Sequence, residues 1–159
     1  MITAAIITLS DRCSRGDSCD ISGPLIKKIL ETTGGYDVCS YTILPDDQQV
    51  ISETLKSCAE TLKPNIIFTT GGTGFGPRDT TPEATLAICG RLVPGIPELI
   101  RAEGVKKTKH AALSRGIAGI CGTTLIINLP GSPKGVEDSL AACIGILPHA
   151  VKMLCGGAH

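Results

Sequence analysis

Four short apolar runs frame this chain. They lie at residues 4–9, 38–44, 65–70 and 124–129, and each is followed by a cluster of polar or glycine residues. Near-continuous Ile, Leu and Val runs of this length are the pattern of strands covered on both faces. Between them lie stretches of helical period. In 24–31, Leu25, Ile26, Ile29 and Leu30 share one face and Lys27 and Lys28 the other; the segment after Asp47 places Val50, Ile51, Thr54, Leu55, Cys58 and Leu62 on one face. Helices are also predicted over 81–89, 97–107 and 136–147, with Pro148 interrupting before a last turn at 151–155. The alternation implies an α/β fold in three layers, a mostly parallel sheet with helices on both faces. A tight turn at Gly122 joins runs 117–121 and 124–129, which predicts a hairpin and therefore a small antiparallel element. With 159 residues and no repeat or linker, the chain is expected to form one domain over 1–159.

Composition narrows the function. Lys plus Arg and Asp plus Glu balance at 15 each, and aromatic residues are 3% of the chain. Neither a basic nucleic-acid or membrane surface nor a base-stacking platform is indicated. No stretch approaches the roughly 20 apolar residues of a membrane span. The first ten residues read as a buried strand rather than a signal peptide, so a cytoplasmic protein is expected. The eight cysteines form no CxxC pair. They are expected to be reduced and mostly buried, with Cys58, Cys89 and Cys143 best placed for burial in helices.

The candidate site follows from the strand ends. They carry Ser10-Asp11-Arg12, Pro45-Asp46-Asp47, the loop Gly71-Gly72-Thr73-Gly74-Phe75-Gly76-Pro77-Arg78-Asp79, and Pro130-Gly131-Ser132-Pro133-Lys134-Gly135. Parallel strands bring such clusters to one edge, where ligands bind in open α/β sheets. Four glycines within six residues ahead of a helix start suit a cradle of backbone N–H groups for an anion. The same glycines also suit a tight turn that needs positive φ. The loop is neither GxxxxGK[ST] nor GxGxxG. No HExxH, His-Cys cluster or GxSxG is present around His110, His149 or His159, which argues against transition-metal and acyl-hydrolase sites. Two aspartates beside glycine loops suit Mg²⁺ bridging phosphates. Plainer roles remain open. Asp46 and Gln49 have the spacing of a helix cap; Asp11 and Arg12 can pair in a turn; Asp79 can pair with Arg78; Ser132 can cap a helix. Thr81 with Pro82, or Thr80 with Glu83, can start the next helix without Asp79.

The stretches TTGGTGFGPRDTTPEAT and NLPGSPKG closely resemble the paired motifs of the molybdopterin adenylyltransferase family, which includes the G domain of gephyrin. ITLSDR at 7–12, LPD at 44–46, PGIPELIR at 94–101 and ALSRG at 112–116 extend the resemblance over nearly the whole chain. It implies an α/β homotrimer that transfers AMP from Mg-ATP to the terminal phosphate of molybdopterin, releasing pyrophosphate. The product would then pass to a molybdate-insertion protein. It makes Asp46 and Asp79 the essential acids and the expected Mg²⁺ ligands. It assigns Gly71, Gly72, Thr73, Gly74, Pro130, Gly131 and Ser132 to phosphate or substrate binding, and Ser114 to a pterin-side contact. Ser10, Asp11 and Glu98 join the candidate set through their motifs. A sister group shares the fold and the GGTG core but has an altered PRD segment; this chain keeps PRD, LPD and NLPGSPK, the pattern of the active type. A non-catalytic molybdopterin carrier or scaffold of the same fold is the alternative.

Overall fold

The expected layers are present in the computed structural model, which describes residues 1–157; His159 lies outside the described residues. The strands are β1 (Ile2–Leu9), β2 (Tyr36–Leu44), β3 (Ile66–Thr70), β4 (Arg91–Leu92), β5 (Ala118–Cys121) and β6 (Thr124–Leu129). The helices are α1 (Asp11–Ser14), α2 (Ser22–Thr33), α3 (Gln48–Ser57), α4 (Thr81–Ile88), α5 (Gly95–Val105), α6 (Pro133–Cys143) and α7 (Leu147–Leu154). The sheet runs β2-β1-β3-β6-β5-β4. β1, β2, β3 and β6 are mutually parallel. β5 pairs antiparallel with β6 and with β4, and the β5–β6 hairpin turns at Gly122, as its spacing predicts.

Strand alternation sorts the apolar side chains onto the two faces. Ala4, Ile6, Ile66, Phe68, Leu125, Ile127 and Leu129 meet α2, α5, α6 and α7 through Ile26, Leu30, Ile96, Val136, Leu140, Leu147 and Val151. Ala5, Ile7, Leu9, Ile67 and Ile126 meet α3 and α4 through Ile51, Leu55 and Ala84. Both faces of the inner strands are therefore covered, which explains why those strands read as unbroken apolar runs.

Two expectations need correction, and one strand had not been expected. Pro148 does not interrupt a helix: α6 ends at Cys143 and Pro148 stands in the first turn of α7, where its missing N–H costs nothing. β4 had no detectable period because it is two residues long. The cysteines are not mostly buried; Cys143 is fully buried, Cys58 and Cys89 partly so, and Cys19, Cys39 and Cys155 are exposed. Cys58 and Cys89 sit where α3 and α4 end, so neither occupies the middle of an apolar helix face.

Candidate functional site

The chain leaves β1 to build β2 on one side and then returns to build β3 on the other. The strand order thus reverses between β1 and β3, and a crevice opens beyond their carboxyl ends. A cavity of about 360 Å³ lies there, lined by Ser10, Asp46, Gly71, Gly72, Asp79 and Gly131 among others.

Reciprocal bonds lace β1 to β2. The Asp11 N–H donates to Asp46 Oδ2 at 2.9 Å, and the Asp46 N–H donates to Asp11 Oδ1 at 3.0 Å. Ser10 takes the cap of α1 and accepts from the Cys13 N–H. Arg78 reaches over from the glycine loop and clasps Asp11 with two bonds of 2.9 Å, so Asp11 pairs with Arg78 rather than Arg12. That pairing holds the Asp11 carboxyl below its ordinary value. Asp46 is pushed the other way, first by desolvation and further by the charges of Asp11 and Asp79. The capping role for Asp46 does not hold, because Asp47 caps α3 by accepting from the Val50 N–H.

The glycine loop folds back on itself. Gly71 and Gly72 have φ of 102° and 66°, a region closed to most side chains. The Thr81 hydroxyl donates to the Gly71 carbonyl at 2.9 Å and closes the base of the loop. Asp79 Oδ2 accepts from the Gly76 N–H at 2.8 Å; the residue pairs with neither Arg78 nor the α4 terminus. The Thr80–Glu83 capping box is absent, since the Thr80 side chain makes no cap bond and Glu83 turns to Arg115.

The second turn abuts the first. A Cβ on Gly131 would lie 3.2 Å from the Gly71 Cα. The Thr70 hydroxyl donates to the Pro130 carbonyl at 2.7 Å, and Ser22 Oγ donates to the Gly131 carbonyl at 2.8 Å. Ser132 caps α6 by accepting from the Gly135 N–H. Beyond this junction is a second cavity of about 340 Å³, lined by Thr73, Gly74, Ser114, Pro130, Ser132 and Lys134 among others. The candidates therefore divide between two adjoining cavities that share the 71–74 loop and the 130–132 turn. Asp11 and Glu98 line neither: Asp11 bonds Asp46 and Arg78 beside the first cavity, and Glu98 is exposed on α5.

Two residues with structural roles here were assigned none from the sequence. Asp20 lines the first cavity and gathers four bonds. It accepts from the hydroxyls of Thr8 and Tyr41 at 2.6 Å each, and from the N–H groups of Ser22 and Gly23, the first residues of α2. Its place two residues before Ser22-Gly23-Pro24 was the available clue, since an Asp just ahead of a Pro-bearing first turn is a helix-start signal. Arg115 bonds the glycine loop at several points; the ALSRG stretch at 112–116 contained it, but only Ser114 of that stretch was given a role.

The donor set suits Mg²⁺ held together with phosphate. Asp20, Asp46 and Asp79 line one cavity; Asp20 is taken up by its four bonds, which leaves Asp46 and Asp79, and the raised Asp46 carboxyl is one whose charge a divalent cation relieves. Among the described residues no group of three His, Cys, Asp or Glu could form a protein-only cage. Mg²⁺ commonly takes one or two carboxylates and fills its sphere with phosphate oxygens and water.

Comparison with known proteins gives consistent neighbours. Residues 5–149 match the family model described as "Probable molybdopterin binding domain". The chain is 40% identical over 96% of its length to the molybdenum cofactor synthesis protein cinnamon of Drosophila melanogaster, of which it spans 26%. It is 37% identical over 98% of its length to the molybdopterin adenylyltransferase of Helicobacter pylori J99, of which it spans 89%. The crystal structure of the molybdopterin biosynthesis enzyme MoaB from Thermus thermophilus superposes with a TM-score of 0.93 at 45% identity, covering 98% of both chains.

Proposed function

The chain belongs to the molybdopterin-binding domain family of molybdenum cofactor biosynthesis, and from that premise we propose that it transfers AMP from Mg-ATP to the terminal phosphate of molybdopterin. The observation that carries this reading is the pair of adjoining cavities with a shared glycine loop. One is polar and has Asp46 and Asp79 for a magnesium ion on a nucleotide's phosphates. The other has Ser114, Ser132 and Lys134 beside an apolar wall that includes Ile100 and Leu113, suited to a flat pterin with an anionic tail. A donor and an acceptor bound on either side of one loop meet over it.

In this reaction an oxygen of the molybdopterin phosphate bonds to the α-phosphorus of ATP. The bond from that phosphorus to the bridging oxygen breaks, and pyrophosphate leaves. The attacking group is already an anion, so no strong general base is needed. Positioning and charge neutralisation dominate such transfers. Asp46 and Asp79 would hold Mg²⁺, which when bound neutralises triphosphate charge. The N–H groups of Gly72, Thr73, Gly74, Gly131 and Ser132 orient the phosphates, and the Arg78–Asp11 clasp keeps the Asp79 loop over the cavity. On the same reading the chain acts as a cytoplasmic homotrimer and passes its product to a molybdate-inserting protein.

The family description names binding alone, which favours a second reading, a molybdopterin carrier without turnover. Incubation with molybdopterin and Mg-ATP separates the two. Formation of adenylylated pterin and pyrophosphate is expected. A folded protein that binds the pterin tightly yet yields no product leaves the carrier.

A further inference from the structure

Within the 73–79 loop, Gly76 and Asp79 bond each other in both directions. The rest of the loop is fixed from outside. The Arg115 N–H donates to the Thr73 carbonyl at 2.9 Å. Its side chain donates from Nε to the Gly74 carbonyl at 2.8 Å and from Nη2 to the Asp79 carbonyl at 2.6 Å. Its remaining face pairs with Glu83 in the first turn of α4. Arg115 is supported from behind: Arg101 in α5 donates to the carbonyls of Ser114 and Gly116 on either side of it, at 3.3 and 3.0 Å. One planar guanidinium thus spans the start of the loop, its end and the helix that follows.

We infer that Arg115 is a positioning residue that sets the Asp79 loop for phosphoryl chemistry and couples the two cavities; this rests on the function proposed above. Ser114, its neighbour, lines the second cavity, while the loop it grips carries Asp79 into the first. The fork is the direct link between the 114–116 segment and the Asp79 carbonyl. Lysine cannot replace it. An ammonium keeps the charge but is a single point donor that cannot reach two carbonyls and a carboxylate in one plane.

The test compares wild type, Arg115→Lys and Glu83→Gln in two measurements. In the transfer assay, Arg115→Lys is expected to lose about 10- to 100-fold in kcat, the scale of a small misplacement of reacting groups, with KM for molybdopterin within about threefold. Glu83→Gln keeps the two carbonyl bonds and should lose less. In hydrogen exchange, the Gly76 and Asp79 amides, which bond within the loop, should exchange about tenfold faster in Arg115→Lys while β1 and β3 keep their protection. Wild-type turnover in Arg115→Lys, or unchanged loop protection, overturns the assignment. If wild type itself makes no adenylylated pterin, the proposed function falls, and the exchange comparison alone decides the clamp. Should Arg115→Lys not fold, Arg115→Gln, which also loses the fork to Gly74 and Asp79, carries that comparison: faster loop exchange over an intact core supports the clamp, and unchanged exchange removes it.

Discussion

Asp46 and Asp79 face one cavity, but their surroundings give them different mutational signatures. Asp79→Ala removes one bond to the Gly76 N–H on an exposed loop, a loss of about 1 kcal/mol. Transfer should fall by at least about 100-fold while Tm drops by no more than about 4 °C, checked by the product assay and a thermal melt. Asp46→Asn keeps an acceptor for the Asp11 N–H and removes a half-buried charge facing Asp11 and Asp79, offset only in part by Arg78. It should abolish transfer with Tm at pH 7 unchanged or up to about 2 °C higher. The sign of the pH dependence follows from the raised carboxyl. Because the folded state binds the Asp46 proton more tightly than the unfolded chain, its favourable contribution is present below the ordinary Asp range and is lost as pH rises through the raised folded value. The advantage of Asp46→Asn should therefore shrink as melts are taken toward pH 4, and an advantage that grew on acidification would contradict the account.

At the scale of elements, the helices that feed the site are started by side chains rather than by propensity. Asp47 caps α3 and Ser132 caps α6, each accepting the N–H three residues on. Asp47→Ala and Ser132→Ala should each cost about 1 kcal/mol in denaturant unfolding, and Asp47→Asn almost nothing. The two differ in function. Asp47 lines neither cavity, so its loss should leave the KM for molybdopterin alone, whereas Ser132 lines the second cavity and its loss should raise it. α4 is started otherwise. Pro82 stands in its first turn, and Thr81 donates to the Gly71 carbonyl, so the helix start and the loop base are one structure. This is why the capping box spelled by Thr80 and Glu83 is not used. Glu83 is drawn to Arg115, an ion pair that a four-residue window cannot see.

Across the whole molecule, a polar peg crosses the sheet at the level of the site. Asn128 is almost fully buried on β6 and donates to the hydroxyls of Thr69 on β3 and Thr85 on α4, while accepting from the Ile117 N–H. Asn128→Ala takes that N–H and the Thr69 hydroxyl away from their partner in the interior, while the Thr85 hydroxyl keeps its bond to the Thr81 carbonyl. It should cost about 2 kcal/mol or more, read as a lower denaturant midpoint at constant m-value. Phe68→Ala, at a fully buried position in the centre of the sheet, should cost about 3–5 kcal/mol by opening a cavity. The contrast matters for the site, because Asn128 holds β3 and β6 at the height where their two turns meet and Phe68 lies deeper in the layer.

What the chain settles alone is the layering. Unbroken apolar runs force strands covered on both faces, helical periods fill the intervals, and Gly122 makes the hairpin, because each of these is decided by neighbours a few residues away. The motif stretches likewise singled out Asp46, Asp79 and the two glycine turns as candidates, through the family they resemble. The partners had to wait for the fold. Arg78 clasps Asp11 across 67 residues, Asp20 accepts from Tyr41 across 21, and Arg115 grips the Asp79 carbonyl across 36. The strength of each contact depends on where the sheet places two distant strand ends, and no local period encodes that distance. Tertiary structure alone decided which charges are paired, which carboxyl is desolvated, and that the predicted residues occupy two adjoining cavities rather than one.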